Sequence, residues 1–258
     1  MSSRAHLFGI DIDVLDMSES VRTVFRWLDE KAFKCRYVVT PNVDHIVKLN
    51  SNPAFLAAYR GAALVVADGR PVVLASRLLG SPLPGVVPGS DLVPALFAHA
   101  QLHARPLRVF LIGAGEGVGL RAAEAIMARW PTVTIVGVLS PPMGFEHDPE
   151  ECQRICGEVS HNRPDILILG LGAPKQELWV HMHQSTLQAK AALCVGATID
   201  FLAGEKPRAP EWVRKAGLEW LHRMLSEPRR LIKRYAHDAA VFPVLLLGEL
   251  IRQKTGRP

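Results

Sequence analysis

Four short polar clusters hold the residues whose chemistry stands out: Thr40-Pro41-Asn42-Val43-Asp44, Asp68-Gly69, Gln176-Glu177 and Asp200. Each follows a compact apolar run, namely Tyr37 to Val39, Leu64 to Ala67, Asp165 to Gly170 and Ala191 to Val195. Apolar runs that end in such clusters read as strands leaving the carboxyl edge of an open α/β sheet, where ligands bind. Asp68 is the leading candidate for chemistry. A carboxylate between a buried strand and Gly69 is held rigidly and can take a proton as a general base. The simpler reading has Asp68 capping a helix that starts near Pro71, and Asn42 capping a turn.

Other clusters offer binding groups. Pro174 can open a helix, leaving Gln176 and Glu177 near its N-terminus, where an amide and an acid can read a polar ring or a ribose. Glu177 can equally well complement the helix dipole. Gly113-Ala114-Gly115-Glu116-Gly117-Val118-Gly119 follows the apolar run Leu107 to Ile112. The third glycine of a dinucleotide fingerprint would fall at Val118, so that match fails. What remains is a turn that presents N–H groups to a phosphate or simply joins strand to helix tightly. Asp11-Ile12-Asp13 has the spacing of a metal-binding acid pair. Alternation along an edge strand from Phe8 to Leu15 places both carboxylates on its outer face, so no metal and no cofactor are expected. Cys35, Cys152, Cys156 and Cys194 fit neither a disulfide framework nor a zinc site.

The elements that must position these groups follow from periodicity. At 258 residues with 48% hydrophobic and 21% charged, the chain can bury one sizeable core, or one domain with an appendage. No stretch reaches the roughly 18 apolar residues of a membrane span, and Met1 to His6 lacks a signal core, so a cytoplasmic location is expected. Asp16 and Glu19 form a capping box, Asn52-Pro53 starts a helix, and Ser90 caps another after the Gly/Pro-rich loop Leu78 to Gly89. Strand and helix patterns alternate from residue 36 to 200. The expected fold is therefore α/β, a mostly parallel Rossmann-like sheet with helices on both faces, over residues 1–203.

Residues 204–258 read as a basic helical appendage of two helices, Glu211 to Leu225 and Pro228 to about Arg252. From Arg208 to Arg234 the net charge is +5, equal to that of the whole chain. Arg229, Arg230, Lys233 and Arg234 fall on one stripe, and Val241 to Leu247 is apolar enough to lie in a membrane interface. An anionic partner for this segment follows: a lipid surface, a diphosphate or a nucleic acid.

Five tags in order, Thr40-Pro41-Asn42, Asp68-Gly69, Pro88-Gly89-Ser90-Asp91-Leu92, Gly172 to Glu177, and the run from Arg208-Ala209-Pro210 to Arg234-Tyr235, make the chain resemble the WecG/TagA/CpsF family of glycosyltransferases over nearly its whole length. The resemblance implies inverting transfer of a sugar, typically an N-acetylhexosamine, from a UDP-sugar; with no D-x-D pair besides Asp11 and Asp13 the transfer is expected to be metal-independent, and the donor class is taken as a hexose or N-acetylhexosamine, or its uronic acid. The implied acceptor is a polyprenyl-diphosphate-linked sugar at the inner membrane face, in cell-surface polysaccharide synthesis. It implies Asp68 as base, with Thr40 and Asn42 positioning sugar or base. It implies Gln176 and Asp200 at the nucleotide; Gly113 and Gly115 of the glycine turn are this chain's candidates for a phosphate contact there, and Arg208, Arg214 and Arg223 of the appendage its candidates for closing over the diphosphate. Val86 stands where that family commonly carries an arginine, which brings UDP-glucose or another hexose forward as donor. The partners expected are thus the UDP-sugar, the lipid-linked acceptor and an anionic membrane surface, with a homo-oligomer left open and no nucleic acid.

Two other classes compete. An NAD(P)-dependent oxidoreductase would rest on the Gly113 to Gly119 turn, but no proton donor for hydride chemistry accompanies it. A non-enzymatic membrane or nucleic-acid adaptor would leave Thr40, Asn42 and Asp68 unused.

Overall fold

The computed structural model describes residues 3–31, 34–210, 212–213 and 218–255. Six strands form a wholly parallel sheet: β3 (Arg36–Val39), β4 (Leu64–Val65), β5 (Leu107–Gly113), β6 (Val133–Leu139), β7 (Ile166–Gly170) and β8 (Ala191–Cys194), in the order β4-β3-β8-β7-β5-β6. Strand residues alternate between two buried clusters. Tyr37, Val39, Phe110, Ile112, Leu167, Leu169, Ala192 and Cys194 face one, while Val38, Val109, Leu111, Ile166, Ile168, Ala191 and Leu193 face the other. Both faces are therefore covered, which is why these strands read as unbroken apolar runs.

Helices supply the cover: α1 (Met17–Asp29), α2 (Val43–Ser51), α3 (Pro53–Arg60), α4 (Arg70–Leu78), α5 (Gly89–Leu102), α6 (Val118–Arg129), α7 (Pro149–Asn162), α8 (Lys175–His183) and α9 (Thr198–Leu202). Local chemistry starts several of them as expected. Asp16 and Glu19 close a capping box on α1, and the Asn52 side chain caps α3 ahead of Pro53. Helix α5 begins one residue before Ser90, with Pro88 at the cap, so Ser90 is not the N-cap.

The N-terminus departs from expectation. Instead of one edge strand, Arg4–Leu7 (β1) and Ile10–Asp13 (β2) form a separate antiparallel hairpin turning at Phe8-Gly9. Asp11 is exposed and meets His6 at 2.7 Å, but Asp13 is 3% exposed. Its carboxylate accepts from Arg4 Nε at 2.9 Å and from Val65 N at 2.9 Å. The two acids do not share an outer face, because Asp13 satisfies the backbone donor of edge strand β4.

The C-terminal helices α10 (Glu219–Ser226) and α11 (Pro228–Thr255) are joined to the body. The expected helix from Glu211 is interrupted: Leu218 is the cap of α10, and Glu211 and residues 214–217 lie outside the described residues. The apolar end of α11 is not free. Phe242, Leu245, Leu246 and Leu250 pack on the core beside Phe8, whose ring lies 5.6 Å from that of Phe242. The expected basic stripe is split as well, because Arg234 turns inward to Asp44 at 3.9 Å.

Candidate active site

The carboxyl edge of the sheet gathers the exits of β3, β4 and β8. Val39 registers with Val65 on one side and Cys194 on the other, so Thr40 leaves the sheet between Val66 and Val195. The Asp68 N–H donates to Pro41 O at 2.8 Å, which ties the Thr-Pro-Asn corner to the acid. Val87 N donates to Ala67 O at 2.7 Å, laying the Gly/Pro-rich loop along the same exit.

Gly69 follows Asp68 at φ +115, a conformation that only glycine holds cheaply, and lets the chain turn at once into α4. No side chain caps α4, so Asp68 is not used as an N-cap. Among the described residues no hydrogen bond or ion pair engages its carboxylate. Asp68 keeps part of its surface open, yet it sits in dense protein. Desolvation therefore pushes its carboxyl up to about 7, with Arg223 pulling it down and Glu219 and Asp91 pushing it further up.

Thr40 is 4% exposed beside it. Asn42 does cap: its Oδ1 accepts from His45 N at 3.1 Å at the start of α2, which leaves its amide nitrogen for other partners. Behind it, His45 Nδ1 lies 2.6 Å from Tyr59 Oη, and burial lowers the imidazole to about 4, so the ring is neutral and packs rather than titrates near pH 7.

The appendage reaches this corner. Arg208 pairs with Asp91 and reaches Ser90 Oγ at 3.4 Å. Glu219 and Arg223, one turn apart on α10, are both felt by the Asp68 carboxylate. Arg223 also lies over the Phe201 ring at 5.7 Å. Arg214 lies outside the described residues.

The expected nucleotide residues lie one strand further along. Asp200, half-buried on α9, meets Lys206 at 3.7 Å. Gly115 is exposed on the rim, but Gly113 is buried: a Cβ there would fall 2.6 Å from the Gly170 backbone. Gly113 thus serves the close passage of β5 past β7. Gln176 is 2% exposed, with both ends of its amide occupied, by Gly196 N at 3.1 Å and by Glu177 at 2.8 Å. Glu177 is fully buried, so it is not an exposed dipole complement. Sequence reasoning leaves its role open; the signal is an acid adjoining a buried amide at a helix start.

A carboxyl with no partner among the described residues, pushed up to about 7 by burial at the mouth of a parallel sheet, marks this corner as the candidate active site of an α/β protein. The chain belongs to the glycosyl transferase WecG/TagA/CpsF family, whose model matches residues 5–256, and it is a glycosyltransferase. It is similar to an N-acetylglucosaminyldiphosphoundecaprenol N-acetyl-beta-D-mannosaminyltransferase of Staphylococcus aureus strain MRSA252, 29% identical over 89% of this chain and 87% of the relative. The protein of the same name from strain MW2 is 28% identical over the same shares. Membership removes the oxidoreductase and adaptor readings.

Proposed function

We propose that the protein transfers a hexose or N-acetylhexosamine, or its uronic acid, with inversion, from a UDP-sugar to a sugar carried on a polyprenyl diphosphate, for cell-surface polysaccharide. The observation that carries this reading is Asp68, whose carboxyl has no partner among the described residues and is pushed up to about 7, and whose backbone N–H is tied to Pro41 between Thr40 and Asn42. The names of the relatives supply the acceptor class, a sugar on diphosphoundecaprenol.

In this scheme Asp68 removes the proton from the acceptor hydroxyl as that oxygen attacks the anomeric carbon. UDP leaves from the opposite face, so one base and one displacement invert the centre. Thr40 and the free amide nitrogen of Asn42 orient the attacking sugar. Arg208, Arg223 and Arg214 neutralise the departing diphosphate, a charge that guanidinium groups can meet without a metal. Asp200 and the β8 exit hold the nucleoside end, with Gly115 offering backbone to a phosphate. Asp11 and Asp13 have other partners, which supports metal-independent transfer.

Residues 1–203 are read as the catalytic unit and 204–258 as the segment that meets the inner membrane face. Among the described residues no helix is long and apolar enough to cross a membrane. Attachment at the surface is supported by Arg229, Lys233, Val244, Leu247 and Ile251, all exposed along one side of α11.

A panel of nucleotides and UDP-sugars, read first by thermal shift and then by transfer to a short-chain lipid diphosphate sugar, tests the reading. A UDP-sugar at 100 times its dissociation constant is expected to stabilise by about 2.7 kcal/mol and to be consumed in the presence of EDTA. Indifference to every UDP compound, or an absolute requirement for Mn²⁺, contradicts it. Val86, half-buried beside the core, places no cation at that point of the loop, so UDP-glucose and other hexose donors belong in the panel.

A further inference from the structure

Gln176 and Glu177 form a small hydrogen-bonded chain to the β8 exit. The Gln176 Oε1 accepts from Gly196 N at 3.1 Å, and its Nε2 donates to Glu177 Oε1 at 2.8 Å. A primary amide has one accepting and one donating end. The Gly196 N–H requires the first, and the Glu177 Oε1 takes up the second. Reversal would set two donors against each other at Gly196 and turn the amide oxygen on the carboxyl. For groups this deeply buried, each lost hydrogen bond leaves an unsatisfied polar atom.

The carboxyl itself sits where an acid is costly. Glu177 is fully buried, and its Oε2 has no partner among the described residues. Lys48 and Asp44 from α2, Tyr59 from α3, Tyr37 from β3 and Cys194 from β8 are the titratable groups around it. Helix α8 does not need this acid, because an exposed carboxylate in the first turn would complement its dipole without desolvation. What its placement here secures is the fixed sense of the Gln176 amide.

We propose that Glu177 is a positioning residue for the nucleoside diphosphate: by fixing the Gln176 amide it holds the Gly196 N–H, and with it the β8 exit from Gly196 to Asp200, in the shape that receives the donor. Gly196 stands at φ +55 one residue before Ala197, the cap of α9, so a loosened bond there frees the turn that leads to Asp200. The inference rests on the reading that places the UDP donor at this exit, and it adds the residue that shapes that exit.

The test uses the full chain, UDP as probe in calorimetry, and hydrogen exchange at the Gly196 amide. Glu177→Met keeps the volume but removes the acceptor. It is expected to weaken UDP binding about ten-fold, the equivalent of one hydrogen bond, and to speed exchange at Gly196. Glu177→Gln, which retains an acceptor for Gln176, is expected to restore both readouts to within about three-fold, a difference below 1 kcal/mol. The pair Gln176→Met/Glu177→Met is expected to bind UDP no more weakly than Gln176→Met alone, since the second residue acts through the first.

Wild-type UDP affinity and intact Gly196 protection in Glu177→Met, or additive losses in the pair, overturn the proposal. If Glu177→Met does not fold, Glu177→Gln decides: loss of Gly196 protection there overturns it, and retained protection upholds it. A wild-type protein that ignores UDP is instead a failure of the donor-site reading, while the exchange data still judge the hydrogen-bonded chain.

Discussion

At the residue scale the central quantity is the protonation of Asp68. Its carboxyl is raised from 3.8 to about 7, with burial as the largest cause. As a base it works only when ionised, so kcat/KM is expected to climb with pH and level off above about 7, and a profile flat from pH 5 to 8 would remove it from that role. Asp68→Asn is expected to lower turnover by about 10² to 10⁴, the usual worth of a placed base, while UDP affinity stays within a few-fold; unchanged turnover would exclude Asp68 as directly as a flat profile. The same shift has a consequence for stability. A group whose pKa is raised on folding adds stability below its unfolded value and loses it as pH rises to the folded value. Between about pH 4 and 7 the wild type therefore forfeits stability that Asp68→Asn does not, and melting temperatures of the two proteins compared across that range should move in favour of the variant as pH increases.

At the element scale, helix α10 carries two of the charges felt by the acid, Arg223 and Glu219. Arg223 is the largest of the charges acting on Asp68 and holds its pKa down. Arg223→Ala is expected to move the rising limb of the pH–rate profile to higher pH, in addition to weakening the diphosphate contact; a limb that stays in place means that α10 does not cover the acid during turnover. This element also marks how far the sequence could be read. The strands were legible because runs such as Asp165 to Gly170 are buried on both faces and admit one interpretation. The corner at Thr40 and Asp68 was legible because polar clusters end such runs. The hairpin was not, because its turn passes through Phe8 at φ +54, a conformation foreign to a bulky residue and without a turn signature of its own. Helix α11 was legible only in part, for a different reason. Phe242, Leu245 and Leu246 look alike whether an apolar face meets lipid or the core, and periodicity gives the face without naming its partner. Glu177 and Asp13 were misplaced because an acid beside a strand or at a helix start is normally solvated, and only tertiary contacts show that these two are enclosed.

At the scale of the whole molecule, α11 couples body and surface. Its inner side carries Leu231, Asp238, Phe242 and Glu249, all shielded from solvent or packed on the core. Cutting the chain before Pro207 would strip this cover from Phe8 and Ile46 and remove Arg208 and Arg223 together, so the truncated protein is expected to melt at lower temperature and to transfer almost nothing. A fully active truncation contradicts both the arginine cover and the docking. The outer side presents Arg229 and Lys233 first, then Val244, Leu247 and Ile251, each of the last three more than half exposed. A helix that shows cations and then aliphatic groups along one exposed side suits the boundary between anionic headgroups and acyl chains. With about 1 kcal/mol from each cation near an anionic leaflet and a comparable amount from each half-buried aliphatic side chain, the proposed attachment is expected to be reversible, as the proposed soluble donor and lipid-linked acceptor both require. Sedimentation with vesicles of mixed neutral and anionic phospholipid should show binding that weakens as salt rises. Val244→Asp combined with Leu247→Asp should abolish it without lowering the melting temperature, because neither side chain touches the core. Binding unaffected by both salt and this pair would mean that α11 faces another protein surface, and the route of the lipid-linked acceptor to Asp68 would then have to run past α4, where Leu74 and Leu78 are the exposed apolar side chains that follow the acid.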